Sequence, residues 1–310
     1  MKKILFRAAL AGAIVLIAAI LARAFTYESR QMDVEPAPEI AIDTTAVAER
    51  LAGALRFETI SHQDSAAFPA EEFLRFHTHL EESFPRLHAA LTREVVGGYS
   101  LLYRWDGRDP SLRPLLFMAH MDVVPVEPGT ESEWTHPAFA GRIADGYVWG
   151  RGALDDKGTL VTQLEAIEML LEGNFQPQRT IYLAFGHDEE VGGMRGAAAI
   201  AALLKQRGIE LEFVLDEGGI VTDAVTAVEA PVALVGVAEK GFVSLQLSVR
   251  TEGGHSSMPP PKTAVGILAS AVHRLESHQM PAAIRGATAA MFDYLGPEMS
   301  FTRRAVFANR

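Results

Sequence analysis

The 310-residue chain is longer than one hydrophobic core usually supports, so two domains, or one large domain with an insertion, are expected. Hydrophobic residues at 48% and charged residues at 22% exclude a disordered, collagenous or coiled-coil chain, and a net charge of −11 repels nucleic-acid phosphates. With no cysteine, disulfides, thiolate metal sites, iron–sulfur clusters and a cysteine nucleophile all fall away, so any metal must be held by His and carboxylates.

Lys2, Lys3 and Arg7 precede an uncharged apolar run from Ala8 to Ala22, which Arg23 ends. As a helix rising about 1.5 Å per residue this run spans roughly 22 Å, short of the roughly 30 Å hydrocarbon core of a bilayer unless Ile4 to Phe6 and Phe25 extend it. Residues 1–27 are therefore expected to be a signal peptide or a membrane anchor. Ala22-Arg23-Ala24 has the small-x-small form of a cleavage site, and the positive flank belongs on the cytoplasmic side. Either way the folded part is expected outside the cytoplasm, exported or membrane-anchored. A buried N-terminal helix is disfavoured because the run has no polar face.

Residues 28–43, rich in Pro and acidic side chains, read as an extended linker. A helix follows over 44–57, with Ala46, Leu51, Leu55 and Phe57 on one face. Short apolar runs at Leu115 to Ala119, Ile181 to Gly186, Leu211 to Leu215 and Val232 to Val237 predict buried parallel strands. Between them, Leu160, Leu164, Ile167 and Leu171 predict a helix over 157–172 that Gly173-Asn174 stops, and an Ala-rich helix is expected over 195–207. Strand and helix in alternation predict an α/β fold with a mostly parallel sheet flanked by helices. Phe242 to Val249 alternates like a strand wetted on one face, a turn-rich segment around His255 follows, and a helix is expected over Ala264 to Leu275.

Three of the expected strands finish in polar clusters: His120-Met121-Asp122, His187-Asp188-Glu189-Glu190 and Asp216-Glu217-Gly218-Gly219. A fourth cluster, Asp155-Asp156-Lys157-Gly158, opens the clearest helix. Ligands of open α/β sheets bind beyond the carboxyl ends of strands, so these groups should converge. Each has a bland reading: Asp155 and Asp156 as helix caps, the acidic pairs as solvated surface, His120 as a satisfied core histidine. Their joint placement at strand ends favours a bound cation, since converging carboxylates repel unless neutralised. With imidazole and oxygen donors alone, zinc leads, with cobalt or manganese able to substitute.

The motifs Met118-Ala119-His120-Met121-Asp122-Val123-Val124-Pro125, Gly150 to Gly158, Gly186 to Gly193, Leu215 to Gly218 and Gly254-His255-Ser256-Ser257 together resemble the zinc-dependent aminoacylases and carboxypeptidases with two co-catalytic metals, in particular the carboxypeptidase S and N-acyl-amino-acid hydrolase branch. The likeness extends over roughly residues 45–310. It implies a metal-binding catalytic domain over 44–238 and an inserted smaller α+β lid of dimerisation type over 239–310, incomplete here. By the same resemblance two Zn2+ are implied, with His120 on one, Asp155 bridging and Glu190 on the other. Glu217, or Asp216 in its place, would be a further ligand, and Asp122 would orient His120. Glu189 would be the general base that moves a proton from water to the leaving amine, and His255 would donate to the developing oxyanion.

Glu189 and Glu190 can do different jobs only if the chain turns there, which Gly192-Gly193 permits. A further ligating histidine near the end of a longer chain belongs to the resembled pattern, and no His follows His278, so the chain is expected to be a fragment. The function implied is hydrolysis of an amide bond adjacent to a free carboxylate, on a small molecule or dipeptide. The alternatives are a non-catalytic, membrane-tethered metal- or ligand-binding fragment, and an aminopeptidase of similar metal chemistry. Nothing in the sequence sets the oligomeric state.

Overall fold

A helix without a polar face has no side to bury, and in the computed structural model, which describes residues 2–36, 38–225 and 227–310, α1 (Lys2–Phe25) buries only Ala24. Its length, about 36 Å at 1.5 Å per residue, exceeds the apolar run because Ile4, Leu5, Phe6 and Phe25 continue it. Among the described residues it is the one helix long and apolar enough to cross a membrane. The chain divides into two compact units, Ala37–Glu217 and Met1–Pro36 with Gly218–Arg310.

In the Ala37–Glu217 unit, α2 (Thr44–Ala54) starts where the Asp43 carboxylate accepts the Ala46 N–H at 3.1 Å. Then come α3 (Ala70–Ser83), α4 (Pro85–Ala90), β1 (Thr92–Val96), β2 (Ser100–Trp105) and β3 (Leu115–His120). The short hairpin β4 (Arg142–Ala144) and β5 (Tyr147–Trp149) leads to α5 (Lys157–Glu172), β6 (Ile181–Gly186), α6 (Ala197–Gln206) and β7 (Phe213–Leu215). One five-stranded sheet runs in the order β1-β2-β6-β3-β7. β3 is parallel to both β6 and β7, whereas β2 joins β6 antiparallel and β1 closes the edge antiparallel to β2.

Period-2 alternation sends the side chains of β2, β3 and β6 to two covered faces, whereas β7, expected buried, is parallel to β3 but leaves Phe213, Val214 and Leu215 exposed at the sheet edge. Leu101, Tyr103, Leu183 and Phe185 meet Phe73, Phe76 and Leu80 of α3 and Leu160, Leu164 and Ile167 of α5. Leu102, Leu116, Tyr182 and Ala184 meet Ile200 and Leu204 of α6 on the other face. Each fully buried Leu or Phe is worth about 1.5–3 kcal/mol. The exposed Arg207–Glu94 pair, screened by solvent, is minor beside this core.

The other unit carries β8 (Ile220–Thr222), β9 (Val232–Leu234), α7 (Ala264–Ser277), α8 (Gly286–Leu295) and α9 (Phe301–Phe307). Two sequence expectations fail in it. Val232 to Val237 is not a buried parallel strand: Val232–Leu234 pairs antiparallel with β8, outside the main sheet, and Val235 and Val237 are exposed. An apolar run states that a segment wants cover, not which strand supplies it. Phe242 to Val249 forms no strand, and Phe242 is 91% exposed, because alternation defines two faces while a strand exists only when a neighbour completes its ladder. Residues 239–310 are consequently helical with connecting coil rather than α+β. In the same unit the Phe25 and Phe301 rings lie 5.2 Å apart, and the Tyr27 hydroxyl donates to Phe292 O at 2.6 Å.

Candidate metal centre

The parallel register sets His120, the last residue of β3, level with Gly186, the last of β6, and β7 ends at Leu215 on the other side of β3. The polar residues that follow therefore emerge along one edge of the sheet. His120 Nε2 lies 3.0 Å from Asp155 Oδ1, 3.5 Å from Glu217 Oε1 and 3.8 Å from Glu189 Oε2. Two donor groups share this imidazole, His120 with Asp155 and Glu190, and His120 with Asp156 and Glu217; within each, one donor atom per residue lies within 4.8 Å of the others.

Each member is held by an identifiable contact. Asp122, fully buried, accepts the Glu189 and Glu190 N–H groups on its two carboxylate oxygens, both at 3.1 Å. Its main-chain carbonyl is 2.9 Å from His120 Nδ1, and Oδ1 of its carboxylate is 3.4 Å from the same nitrogen. One side chain thus touches the imidazole and the strip that bears both glutamates. The chain does turn there: Glu189–Val191 is a single 3-10 turn, closed by Gly192 and Gly193 at φ of 106° and 65°, which strongly favour glycine.

Asp156 occupies the N-cap position of α5 but makes no side-chain cap bond; its Oδ2 instead accepts the His120 N–H at 3.1 Å. Lys157, with no exposed surface, donates from Nζ to Ala54 O at 3.2 Å and Phe57 O at 2.7 Å.

The charges of the cluster point to the kind of ligand it suits. Burial, which disfavours a charged imidazole, is outweighed at His120 by the hydrogen bond to Asp122 and the surrounding carboxylates, which raise it to about 10. Burial and then the nearby Asp156 push Glu217 up to about 7, and burial holds Asp156 at about 6. Glu189 and Glu190 are raised as well, first by burial and then by their neighbours' negative charge. Asp156 Oδ1 is buried with no hydrogen-bond partner. Carboxylates that cannot comfortably ionise together, an orphaned carboxylate oxygen and an imidazole at their centre fit a divalent cation, and without sulfur the donor set suits zinc, cobalt or manganese. Lys157 is also perturbed, burial lowering its ammonium to about 7.

Of the sequence candidates, His120, Asp122, Asp155, Glu189, Glu190 and Glu217 come together at this edge. Asp216 stands outside both donor groups, exposed, with its Oδ1 accepting the N–H of Glu217. His255 belongs to the other unit, where it is exposed and its Nδ1 lies 2.8 Å from Ser257 Oγ. Two residues went unassigned in the sequence. Asp156 offers a donor atom where a helix cap was the competing reading, and Lys157 is a buried amine, an uncommon place for this residue type.

Residues 116–302 match the family model described as Peptidase family M20/M25/M40, about three-fifths of the chain. The chain belongs to this M20 family. It is 44% identical over 85% of its length to probable carboxypeptidase S-like 2 of Dictyostelium discoideum, covering 51% of that protein. To the N-fatty-acyl-amino acid synthase/hydrolase PM20D1 of Xenopus tropicalis it is 38% identical over 98% of its length, covering 60% of that protein. This M20 chain thus spans about half the length of the curated relatives it matches. Among solved structures, the M20 metallo-carboxypeptidase Sso-CP2 of Sulfolobus solfataricus aligns over 57% of the chain and 38% of its own, at 25% identity and a TM-score of 0.45.

Proposed function

We propose that this protein is a metal-dependent hydrolase that cleaves an amide bond next to a free carboxylate, as a carboxypeptidase or N-acyl-amino-acid amidohydrolase. The observation that carries the reading is the pair of donor groups sharing His120, with the Glu189 carboxylate beside the same imidazole nitrogen but in neither group. His120 and Glu217 would hold one Zn2+, Glu190 the other, and Asp155 would bridge. Cobalt or manganese would substitute through the same oxygen and nitrogen donors. When bound, such cations supply Lewis acidity that polarises an amide carbonyl and acidifies water.

The chain's own groups do the rest. Asp122 holds His120 and the two glutamates in register. Glu189 accepts a proton from the attacking water and passes it to the departing amine nitrogen. His255 is assigned from the resemblance of its Gly254-His255-Ser256-Ser257 motif alone as a donor to a developing oxyanion, a role that would be worth about 3–4 kcal/mol. Substrates are dipeptides or N-acyl amino acids. Residues 44–238 would form the first part of the catalytic domain and 239–310 part of a lid. Lys2–Phe25, as a signal peptide or anchor, would place the catalytic part outside the cytoplasm.

The test is Glu189→Gln in the purified protein, with bound metal quantified and hydrolysis followed on N-acyl amino acids and on N-blocked and N-free dipeptides. The expected result is a loss of about 10²- to 10⁴-fold with metal content unchanged. Retained turnover at unchanged metal content would overturn the assignment of the base, and preference for free amines over N-blocked substrates would move the activity to an aminopeptidase.

A further inference from the structure

Lys157 is a fully buried amine with no carboxylate partner among the described residues, and a buried lysine rarely goes without one. Its Nζ is surrounded by the Ala54 and Phe57 carbonyl oxygens and the face of Phe76, whose centroid is 4.9 Å away. Ala54 is the last residue of α2, in the final turn where helix acceptors are left unsatisfied, and Phe57 follows three residues later in the turn that leaves the helix. At the other end of the same side chain, Lys157 is the first residue of α5 and follows directly on Asp155 and Asp156. The Asp155-Asp156-Lys157 strip is therefore pinned three times: Asp155 Oδ1 at 3.0 Å from His120 Nε2, Asp156 Oδ2 on the His120 N–H, and Lys157 Nζ on α2. The first two contacts involve His120 itself; only the third ties the strip to a different part of the fold. Gly152 reinforces it, since a Cβ there would come within 3.3–3.4 Å of the Lys157 stem.

We propose that Lys157 is a positioning residue of the metal centre: its amine moors the Asp155-Asp156 turn to the carboxyl end of α2, so that both aspartates face His120 before any cation arrives. The role needs N–H donors, which the amine has in either charge state. A hydrophobic side chain of the same length would suit the apolar surroundings at least as well for packing alone, but would take this donor from Phe57 O, leave Ala54 O with the Phe57 N–H at 3.5 Å, and leave the turn unmoored.

The inference rests on the metal-centre reading above, and the experiment separates the two. Zn2+ and Co2+ affinities of the whole protein are measured by chelator competition for wild type, Lys157→Met and Lys157→Gln, alongside the visible absorption of the cobalt form and circular dichroism. The expected result is a loss of about 10- to 100-fold in affinity for Lys157→Met, a smaller loss for Lys157→Gln, whose amide still donates, and a changed cobalt spectrum. Lower thermal stability with affinity and spectrum both unchanged is what a purely structural lysine gives, and it overturns the proposal. Should Lys157→Met fail to fold, Lys157→Gln is judged alone: wild-type affinity and spectrum overturn the proposal, and a measurable loss supports it. A wild-type protein that binds neither cation refutes the metal-centre reading instead.

Discussion

Replacing Asp122 by Asn tests the centre of the site with almost no change in volume. The carboxylate, itself out of contact with water, accepts two main-chain N–H groups, from the partly buried Glu189 and Glu190 backbone, and lies against the buried His120 imidazole. An amide has only one oxygen, so one of those N–H groups must face an NH2 instead. A hydrogen bond to a charged group is worth about 1.5–3 kcal/mol, and a buried donor left unpaired costs about 1–3 kcal/mol. Because the two overlap, the net loss is about 2–4 kcal/mol.

Urea denaturation in the presence of chelator isolates this effect from metal binding. Tryptophan fluorescence reports on the right unit, because Trp105, Trp134 and Trp149 are the protein's three tryptophans and all lie within Ala37–Glu217. A fall in the midpoint equivalent to about 2–4 kcal/mol at constant slope is expected. A change under about 0.5 kcal/mol, the size of an ordinary surface substitution, would refute the clamp.

Removing divalent cations should lower the melting temperature of the same unit. At a thousandfold excess over the dissociation constant a cation stabilises by about 4 kcal/mol, or roughly 8–16 °C for a unit of this size; an unchanged melting curve with chelator would argue against a bound cation. The penalty should be larger at pH 8 than at pH 5. Glu217, raised from 4.5 to about 7, favours the metal-free fold while protonated and loses that contribution as pH rises through 7.

Acid should destabilise the unit through His77, which burial lowers from 6.5 to about 4. Above pH 6.5 neither state carries the proton, whereas between about 6.5 and 4 the unfolded chain takes it up and the folded one does not, so stability falls on acidification. His77→Gln should show a shallower fall in urea midpoint from pH 7 to 5 than wild type; equal slopes would remove His77 from the account.

The legible parts of the fold were those with a one-dimensional signature. The apolar stripe of Leu160, Leu164 and Ile167 is buried in α5 as its spacing predicts, and Ile181–Gly186 is a strand with the expected bounds. The α3 helix carried an equally clear signal in Phe73, Phe76, His77 and Leu80, which the sequence reading passed over. The β1–β2 hairpin was also missed, although Gly97 and Gly98 take the positive φ of a tight turn. Val235 to Val237 and Phe242 to Val249 show the opposite failure, a pattern without a strand partner, while Val232–Leu234 finds one in β8 instead of the main sheet. At the site, strand-end placement indicated convergence but left open which of Asp216 and Glu217 points inward and whether Asp156 is a cap.

The order of residues alone determined the types of donor available, the positions along the chain where they recur and the exclusion of thiol chemistry, because these depend on identity and spacing. Only the tertiary structure decided that a lysine beside two aspartates reaches the end of α2, that Asp122 spans the imidazole and two backbone amides, and that Asp156 turns toward His120. Those outcomes depend on which distant segments the folded sheet and its helices bring within about 3 Å, a distance at which hydrogen bonds form and sequence separation has no meaning.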